Sequence, residues 1–158
     1  MKELLCSNGI STVVDDWVYD WACWLSWFEA GGGYIVTTLS GTTVTLHRLI
    51  MNVPRGMVVD HINHNKKDNR TSNLRICTQG QNLLNMRKYR GQSGFKGIYW
   101  NKNTEKWRVQ VRHEGKYLSI IPREYLNEAE AAMTYDKYIK QYHGEFAVLN
   151  FPEEGGKP

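Results

Sequence analysis

The sequence predicts an α+β fold made of two small units, each with short antiparallel strands and one helix. Runs of β-branched and aromatic residues alternate with Gly-, Ser- and Asn-rich turns, which is typical of hairpins. Helix signals follow strands near residues 78–85 and 128–142. A chain of 158 residues with 41% hydrophobic content has room for one ordinary domain or two small ones.

The first unit begins with an aromatic-rich segment. Residues 17–28 include Trp17 and Trp24, and we expect these rings to lie in the core rather than to stack on a ligand. Residues 34–39 and 42–50 are β-branched runs on either side of a Ser-Gly turn. They predict a hairpin.

A dense polar stretch follows the apolar strand predicted at residues 57–59. Asp60 and His61 come directly after this strand. We assign the other polar residues of the loop to turn geometry rather than to ligands, with His64 as a rival phosphate contact. These residues are Asn63, His64, Asn65, Asp68 and Asn69.

Ordered structure is predicted to resume at residues 72–76. A helix follows at residues 78–85, with Thr78 or Asn73 as its N-cap. Gly, Ser and charged residues then cluster at residues 89–94, which predicts a linker.

The second unit has the clearer pattern. Strands are predicted at residues 95–100, 106–112 and 116–121, and a helix at residues 128–142 that is capped by Asn127. In the middle strand apolar and polar residues alternate: Trp107, Val109 and Val111 share one face, and Arg108, Gln110 and Arg112 share the other.

Charge is segregated along the chain. Residues 1–46 and 124–158 each carry a net charge of −4, whereas residues 47–82 carry +4 and residues 83–123 carry +8. A basic middle between acidic ends is typical of a polyanion-binding protein, although a solvated basic face is the alternative.

Several classes of protein are disfavoured by the sequence. No apolar run approaches the roughly 18 residues of a membrane span, and the first residues lack the apolar run of a secretory signal. The three cysteines form no CxxC pair, which argues against a disulfide framework and a thiolate zinc site. We therefore expect a cytoplasmic location and no membrane partner.

The polar stretch has the residues that phosphodiester hydrolysis needs. The reaction requires a base to activate water and a cation to stabilise negative charge. His61 is suited to the first task, and the oxygens of Asp60 and Asn82 would hold Mg²⁺ or Mn²⁺. Asn73 could bond the backbone across the loop and thereby fix His61.

The same residues resemble the HNH nucleases, especially the phage and intron homing endonucleases with a ββα-metal fold. The matching motifs are Leu46-His47-Arg48, Val59-Asp60-His61, Asn65-Lys66-Lys67-Asp68-Asn69-Arg70, Ser72-Asn73-Leu74-Arg75 and Gln81-Asn82. The resemblance, over roughly residues 15–87, implies the general base His61, a divalent cation on Asp60 and Asn82, and a structural role for Asn73. It also places His47 and Arg48 on the strand before the site, as phosphate contacts or scaffold.

Residues 93–152 resemble a second family, the Apetala-two (ethylene-response-factor) DNA-binding domain. The motifs include Gly94-Phe95-Lys96-Gly97-Ile98-Tyr99-Trp100, Lys106-Trp107-Arg108-Val109 and Glu128-Ala129-Glu130-Ala131-Ala132. In that family a three-stranded sheet enters the major groove. The resemblance implies DNA contacts from Lys96, Tyr99, Arg108, Gln110, Arg112 and Lys116.

The predicted organisation is a nuclease domain at residues 1–88 with its ββα-metal motif at about 44–87, a linker at 89–94, a DNA-binding domain at 95–152 and a flexible tail at 153–158. The predicted function is cleavage of double-stranded DNA by a monomer or homodimer that uses Mg²⁺, with Mn²⁺ as the alternative. The competing hypotheses are a DNA-binding regulator with an inactive HNH module and an RNA-binding protein.

Overall fold

The computed structural model describes residues 1–85, 93–113, 115–118 and 124–152. The chain divides into two compact units, Met1–Asn82 and Leu83–Pro158, and each is described by itself. Most of the predicted linker and all of the predicted tail lie outside the described residues. Within those ranges, none of the helices combines the length and the apolar character that a membrane crossing requires.

The first unit is built from hairpins and short helices. In chain order its elements are β1 (Lys2–Leu5), β2 (Ser11–Val14), α1 (Asp16–Ala22), β3 (Phe28–Glu29), β4 (Ile35–Leu39), β5 (Thr42–Thr45), α2 (Leu46–Met51), β6 (Val58–His61), a 3₁₀ turn (Thr71–Asn73), β7 (Leu74–Cys77) and most of α3 (Gln79–Leu84), whose last two residues belong to the second unit. The strands pair antiparallel as β1–β2, β3–β4–β5 and β6–β7.

The predicted hairpin is shorter than the sequence pattern suggested. Its second strand ends at Thr45, and residues 46–51 form α2 instead of continuing the strand. Leu46 and Ile50 are both buried, because side chains four residues apart share one face of a helix. His47 and Arg48 therefore lie on the first turn of α2, and the prediction that they occupy a strand is wrong.

The core of the first unit draws on every region of it. Trp27, Val14, Ile35 and Leu46 are almost completely buried. The aromatic segment is only partly core, however, since Trp17 and Trp24 are 53% and 85% exposed. The expectation that both of these rings are packed inside is wrong.

The hairpin β6–β7 and its long loop are anchored on the N-terminal hairpin. Val13 and Asp68 form a parallel bridge, and the Val13 and Asn69 backbone N–H groups donate to the Lys67 and Val13 carbonyls. The helix α3 begins as predicted with a Thr78 cap. The Thr78 N–H donates to the Gln81 side chain, and the Gln81 N–H donates to the Thr78 hydroxyl, which is the reciprocal capping box.

The second unit combines small ladders with one long helix. Its elements are β8 (Ile98–Asn101), β9 (Lys106–Val109), β10 (Val111–His113), β11 (Lys116–Leu118), β12 (Glu124–Tyr125), α4 (Glu128–His143) and a 3₁₀ turn (Gly144–Phe146). The three-stranded sheet has the order β12–β9–β8, and β10 pairs with β11 separately.

Two features differ from the predicted sheet. The predicted middle strand is interrupted at Gln110, whose N–H donates to the Gly97 carbonyl. Among the described residues, β11, the strand expected to complete the sheet, pairs only with β10, and β12 takes the third position beside β9. The alternation of burial nevertheless continues through the interruption, with Val109 and Val111 buried.

Helix α4 covers the inner side of these strands. Asn127 caps it by accepting from the Ala129 N–H, as the sequence predicts. Its buried side chains, Ala131, Ala132, Tyr135 and Ile139, form one core with Ile98, Val109 and Val111. The opposite face of the β8–β9 ladder is thereby left to polar and aromatic side chains.

Candidate active site and candidate nucleic-acid interface

The end of β6 presents two chemically different groups side by side. Asp60 lies directly opposite Arg75 in the ladder, and His61 lies opposite Leu74. Successive side chains of a strand project to opposite faces. The strand therefore separates a carboxylate from an imidazole within two residues.

Asp60 is a buried carboxylate with a buried cationic partner. Its Oδ2 accepts from Nε and Nη2 of Arg75 at 2.9 and 2.8 Å. Asp60 is 6% exposed, so the charge would be costly without that guanidinium. The ion pair holds the Asp60 carboxylate in place at the end of β6.

His61 is enclosed but not surrounded by hydrocarbon. It is 5% exposed, and its Nε2 lies 3.2 Å from Oδ1 of Asn69. Burial lowers the pKa of His61, and the Asn69 bond and the charge of Asp60 oppose that shift. A ring with a pKa below its usual value is neutral at physiological pH, which is the protonation state of a base.

Two further rings form one side of the His61 environment. The His47 ring packs against His61 at 5.1 Å between centroids, and Tyr34 lies 5.2 Å from His47. Burial lowers the pKa of His47 to about 3, with the proximity of His61 as the next cause. Lys66 places its Nζ 4.1 Å from the centre of the Tyr34 ring. His47 is thus a neutral packing neighbour of His61, whereas Arg48 is exposed.

Asn73 holds the loop between β6 and β7. Its Oδ1 accepts from the Asn63 N–H at 3.0 Å, and its Nδ2 donates to the Asp68 carbonyl at 2.8 Å. The Asn73 carbonyl also accepts from the Ile62 N–H. These bonds fix the backbone immediately after His61.

Most other polar residues of the loop bond each other. Asn63 donates to the Asp68 carboxylate, which also receives two bonds from the Arg70 side chain. Asn65 accepts from the Lys67 N–H. Asn69 is the exception that the sequence reasoning missed, since it contacts the His61 ring. No local signal distinguishes it, because Asn is an ordinary turn residue.

Asn82 lies half-buried on α3, in the first unit with Asp60. Among the described residues there is no group of three or more His, Cys, Asp and Glu side chains that could hold a metal ion. The donors that the sequence predicts are one carboxylate, on Asp60, and one amide oxygen, on Asn82. Such hard oxygen donors fit Mg²⁺, which keeps several waters and commonly takes phosphate oxygens as further ligands.

The second unit places most of its predicted DNA contacts on the surface. Tyr99, Arg108, Gln110, Arg112 and Lys116 are exposed, whereas Lys96 is half-buried and its pKa is lowered by that burial. Tyr99 lies directly opposite Arg108 in the β8–β9 ladder.

Both of these arginines, Arg108 and Arg112, already have partners. Arg108 donates to Glu124 from Nε and Nη2 at 3.0 and 2.7 Å. Arg112 donates to the Gly115 carbonyl, and its guanidinium lies 5.8 Å from the centre of the Tyr117 ring.

Comparison with known proteins places this site in a family. A family model described as HNH endonuclease matches residues 45–84, from the start of α2 to the end of α3. No solved structure matches.

Two viral proteins are similar over longer stretches. Protein 3.8 of Escherichia phage T7 is 33% identical over 96 residues, which cover 60% of this chain and 77% of that protein. An uncharacterized HNH endonuclease of Acanthamoeba polyphaga mimivirus is 32% identical over 130 residues, which cover 78% of this chain and 66% of that protein. The chain therefore belongs to the family of phage T7 Protein 3.8 and contains an HNH endonuclease domain.

Proposed function

We propose that this protein is a metal-dependent DNA endonuclease in which the first unit cuts and the second unit selects the site. The observation that carries the proposal is the pair at the end of β6: a buried His61, whose pKa is lowered by burial, beside Asp60, which is paired with Arg75, within the segment matched as HNH endonuclease. A base and an oxygen ligand for a cation are the two groups that phosphodiester hydrolysis needs from a protein.

In the proposed step His61 accepts a proton from a water molecule. The water oxygen forms a bond to phosphorus while the bond from phosphorus to the 3′ oxygen breaks. The departing 3′ oxygen takes up a proton from solvent, and the proton on His61 returns to solvent. The products are a 5′-phosphate and a 3′-hydroxyl.

Asp60 and Asn82 would hold the divalent cation, most simply Mg²⁺, with Mn²⁺ as the alternative. When bound, the cation supplies positive charge against the negative charge of the scissile phosphate and of the departing oxygen. Asn73 keeps the loop after His61 in place, and His47 packs on its ring. Arg48, exposed on α2, is a candidate phosphate contact.

The second unit is the proposed source of DNA affinity and placement, like an Apetala-two-type domain. Its support is the exposed face formed by Tyr99, Arg108, Gln110, Arg112 and Lys116, opposite the face that packs on α4. Arginine and lysine on a solvent-facing ladder can reach phosphates and guanine edges. Homing-type activity would further require cleavage at one long site.

A plasmid cleavage assay tests the proposal. Supercoiled DNA is incubated with the protein and Mg²⁺, Mn²⁺ or excess EDTA. We expect nicked circles with either ion and none with EDTA, since one active site per chain cuts one strand. Linear product would indicate a homodimer or two sequential nicks. An Asn82→Ala variant should need a higher Mg²⁺ concentration for the same rate. DNA binding without cleavage under every condition would overturn the proposal and favour a regulator with an inactive HNH module.

A further inference from the structure

Asn69 is a buried side chain that contacts the His61 ring. It is 1% exposed, and its amide has three partners. Oδ1 lies 3.2 Å from Nε2 of His61, and Nδ2 donates to the Thr12 hydroxyl at 2.8 Å and to the Lys66 carbonyl at 3.1 Å.

These partners define which nitrogen of His61 carries a proton. A backbone carbonyl can only accept, so the NH₂ group of Asn69 must face Lys66. The amide oxygen then faces His61, and because this oxygen can only accept, Nε2 must be the donor. In the neutral ring Nδ1 is therefore the nitrogen without a proton, the atom that can receive one from water.

Thr12 fixes the amide from the other side. It is completely buried on β2, and its hydroxyl donates to the Lys67 carbonyl at 2.8 Å. Its single proton is thereby used, and the hydroxyl oxygen offers a lone pair to Asn69. Donor and acceptor directions therefore agree along the whole series from Thr12 to His61.

This series starts outside the segment that matches the HNH family. The match covers residues 45–84, whereas Thr12 lies on β2, which also holds the loop through the Val13 backbone bonds to Lys67 and Asn69. The N-terminal hairpin therefore helps to hold the loop residues that contact His61.

We propose that Asn69 is a positioning residue that holds His61 in its Nε2-protonated form with Nδ1 as the base atom, and that Thr12 of the N-terminal hairpin fixes Asn69 for this task. The catalytic part of this inference rests on the proposed endonuclease function, whereas the protonation state does not. Loss of a residue that orients a functional histidine typically costs about 10–100-fold in activity.

The test compares four variants of the full chain. Asn69→Ala removes the acceptor for His61, and Thr12→Val removes the hydroxyl at nearly constant volume. Thr12→Ser keeps the hydroxyl. Thr71→Val is the matched control, since the Thr71 hydroxyl bonds Asp15 at 2.7 Å and thus also links the loop to the N-terminal segment, without contacting His61.

The first readout is the ¹⁵N–¹H spectrum of the His61 ring, recorded without DNA at neutral pH. We expect a proton on Nε2 in the wild type, Thr12→Ser and Thr71→Val, and a weakened or lost signal in Asn69→Ala and Thr12→Val. The second readout is plasmid nicking. In Asn69→Ala and Thr12→Val, kcat should fall by roughly 10–100-fold, and KM for DNA should stay unchanged.

Backbone amide spectra of β6 and β7 show whether each variant is folded. If Asn69→Ala does not fold, the Thr12→Val variant alone tests the proposal. A ring proton on Nδ1 in the wild type would overturn the proposal. So would normal nicking by folded Thr12→Val and Asn69→Ala. If the wild type shows the Nε2 proton but never cuts DNA, the endonuclease assignment fails and the assigned protonation state stands.

Discussion

The two units keep their polar residues in opposite ways. In the first unit four polar side chains are less than a tenth exposed, and each forms a hydrogen bond within that unit: Asp60, His61, Asn69 and Asn73. In the second unit the polar residues of interest, such as Arg108, stand on the outer face of a small sheet. The difference fits the two proposed roles, since a general base must be held in one orientation whereas a DNA contact must reach outward.

The largest expected effect is the loss of the base. Replacing His61 by Ala should reduce the nicking rate about 10³-fold, the middle of the range for general-base catalysis. DNA affinity, measured by fluorescence anisotropy, should stay within a factor of two to three of the wild type because His61 is buried.

The matched control is His64, a second histidine in the loop after β6. His64 has a positive φ of 64° in the loop, so His64→Asn keeps a residue that tolerates this conformation. We expect nearly normal nicking from it. Equal losses in both variants would remove His61 from its special role.

The second expected effect is a loss of stability that is confined to the second unit. A Cβ on Gly97 would lie 1.8 Å from Cε2 of the buried Tyr135, and its φ is +76°. Gly97→Ala should destabilise the second unit by about 3 kcal/mol through overpacking and a left-handed backbone. Hydrogen exchange should accelerate in β8, β9 and α4 but not in β6 and β7.

Gly94→Ala is the control for this change, because no atom lies within 4 Å of the added Cβ and no positive φ is involved. If Gly97→Ala left the exchange of α4 unchanged, the close packing of β8 against Tyr135 would be wrong. If it accelerated β6 and β7 equally, the two units would not be independent in stability.

Local signals explain which parts of the fold could be predicted. The cap at Asn127 and the spacing of the α4 core residues are within one helix, and the Thr78–Gln81 box lies within one turn. In contrast, α2 was predicted as strand because a six-residue helix of Leu, Ile and Met resembles a short apolar strand.

The residues of the candidate active site differ in the same way in how far the sequence predicts them. Asp60 and His61 are adjacent in sequence, so a single motif indicates both. The Asn69–Thr12 bond joins residues 57 positions apart, and the Thr12–Lys67 bond joins residues 55 apart. Such contacts depend on the pairing of β2 with the loop, which no periodicity of either segment reveals.

The third expected effect is a difference in acid sensitivity. The pKa of His47 is lowered by burial to about 3, whereas an unfolded His titrates near 6.5. The unfolded state therefore binds a proton that the folded state does not, and stability falls as pH falls below about 6.5. Between about pH 7.5 and pH 5 the first unit should lose about 2 kcal/mol from this residue.

Hydrogen exchange of β6 and β7 at the two pH values measures this loss. In His47→Gln the pH dependence should shrink, and the remainder reports the lowered pKa of His61, which acts with the same sign. An unchanged pH dependence in His47→Gln would mean that His47 is not enclosed.

The smallest expected effect concerns the open face of the second unit. Arg108→Gln removes one cation from the outer ladder, and DNA affinity should fall about 3–10-fold, with a salt dependence lower by about one counterion. Glu124→Gln should act in the opposite direction, because it removes the negative charge that pairs with the Arg108 guanidinium. Lys137→Gln removes the same charge from the exposed side of α4 and should change affinity less. Equal losses of DNA affinity from Arg108→Gln and Lys137→Gln would show that net charge, and not the sheet face, determines binding. The second unit would then have no defined DNA-binding face to compare with the enclosed residues of the first unit.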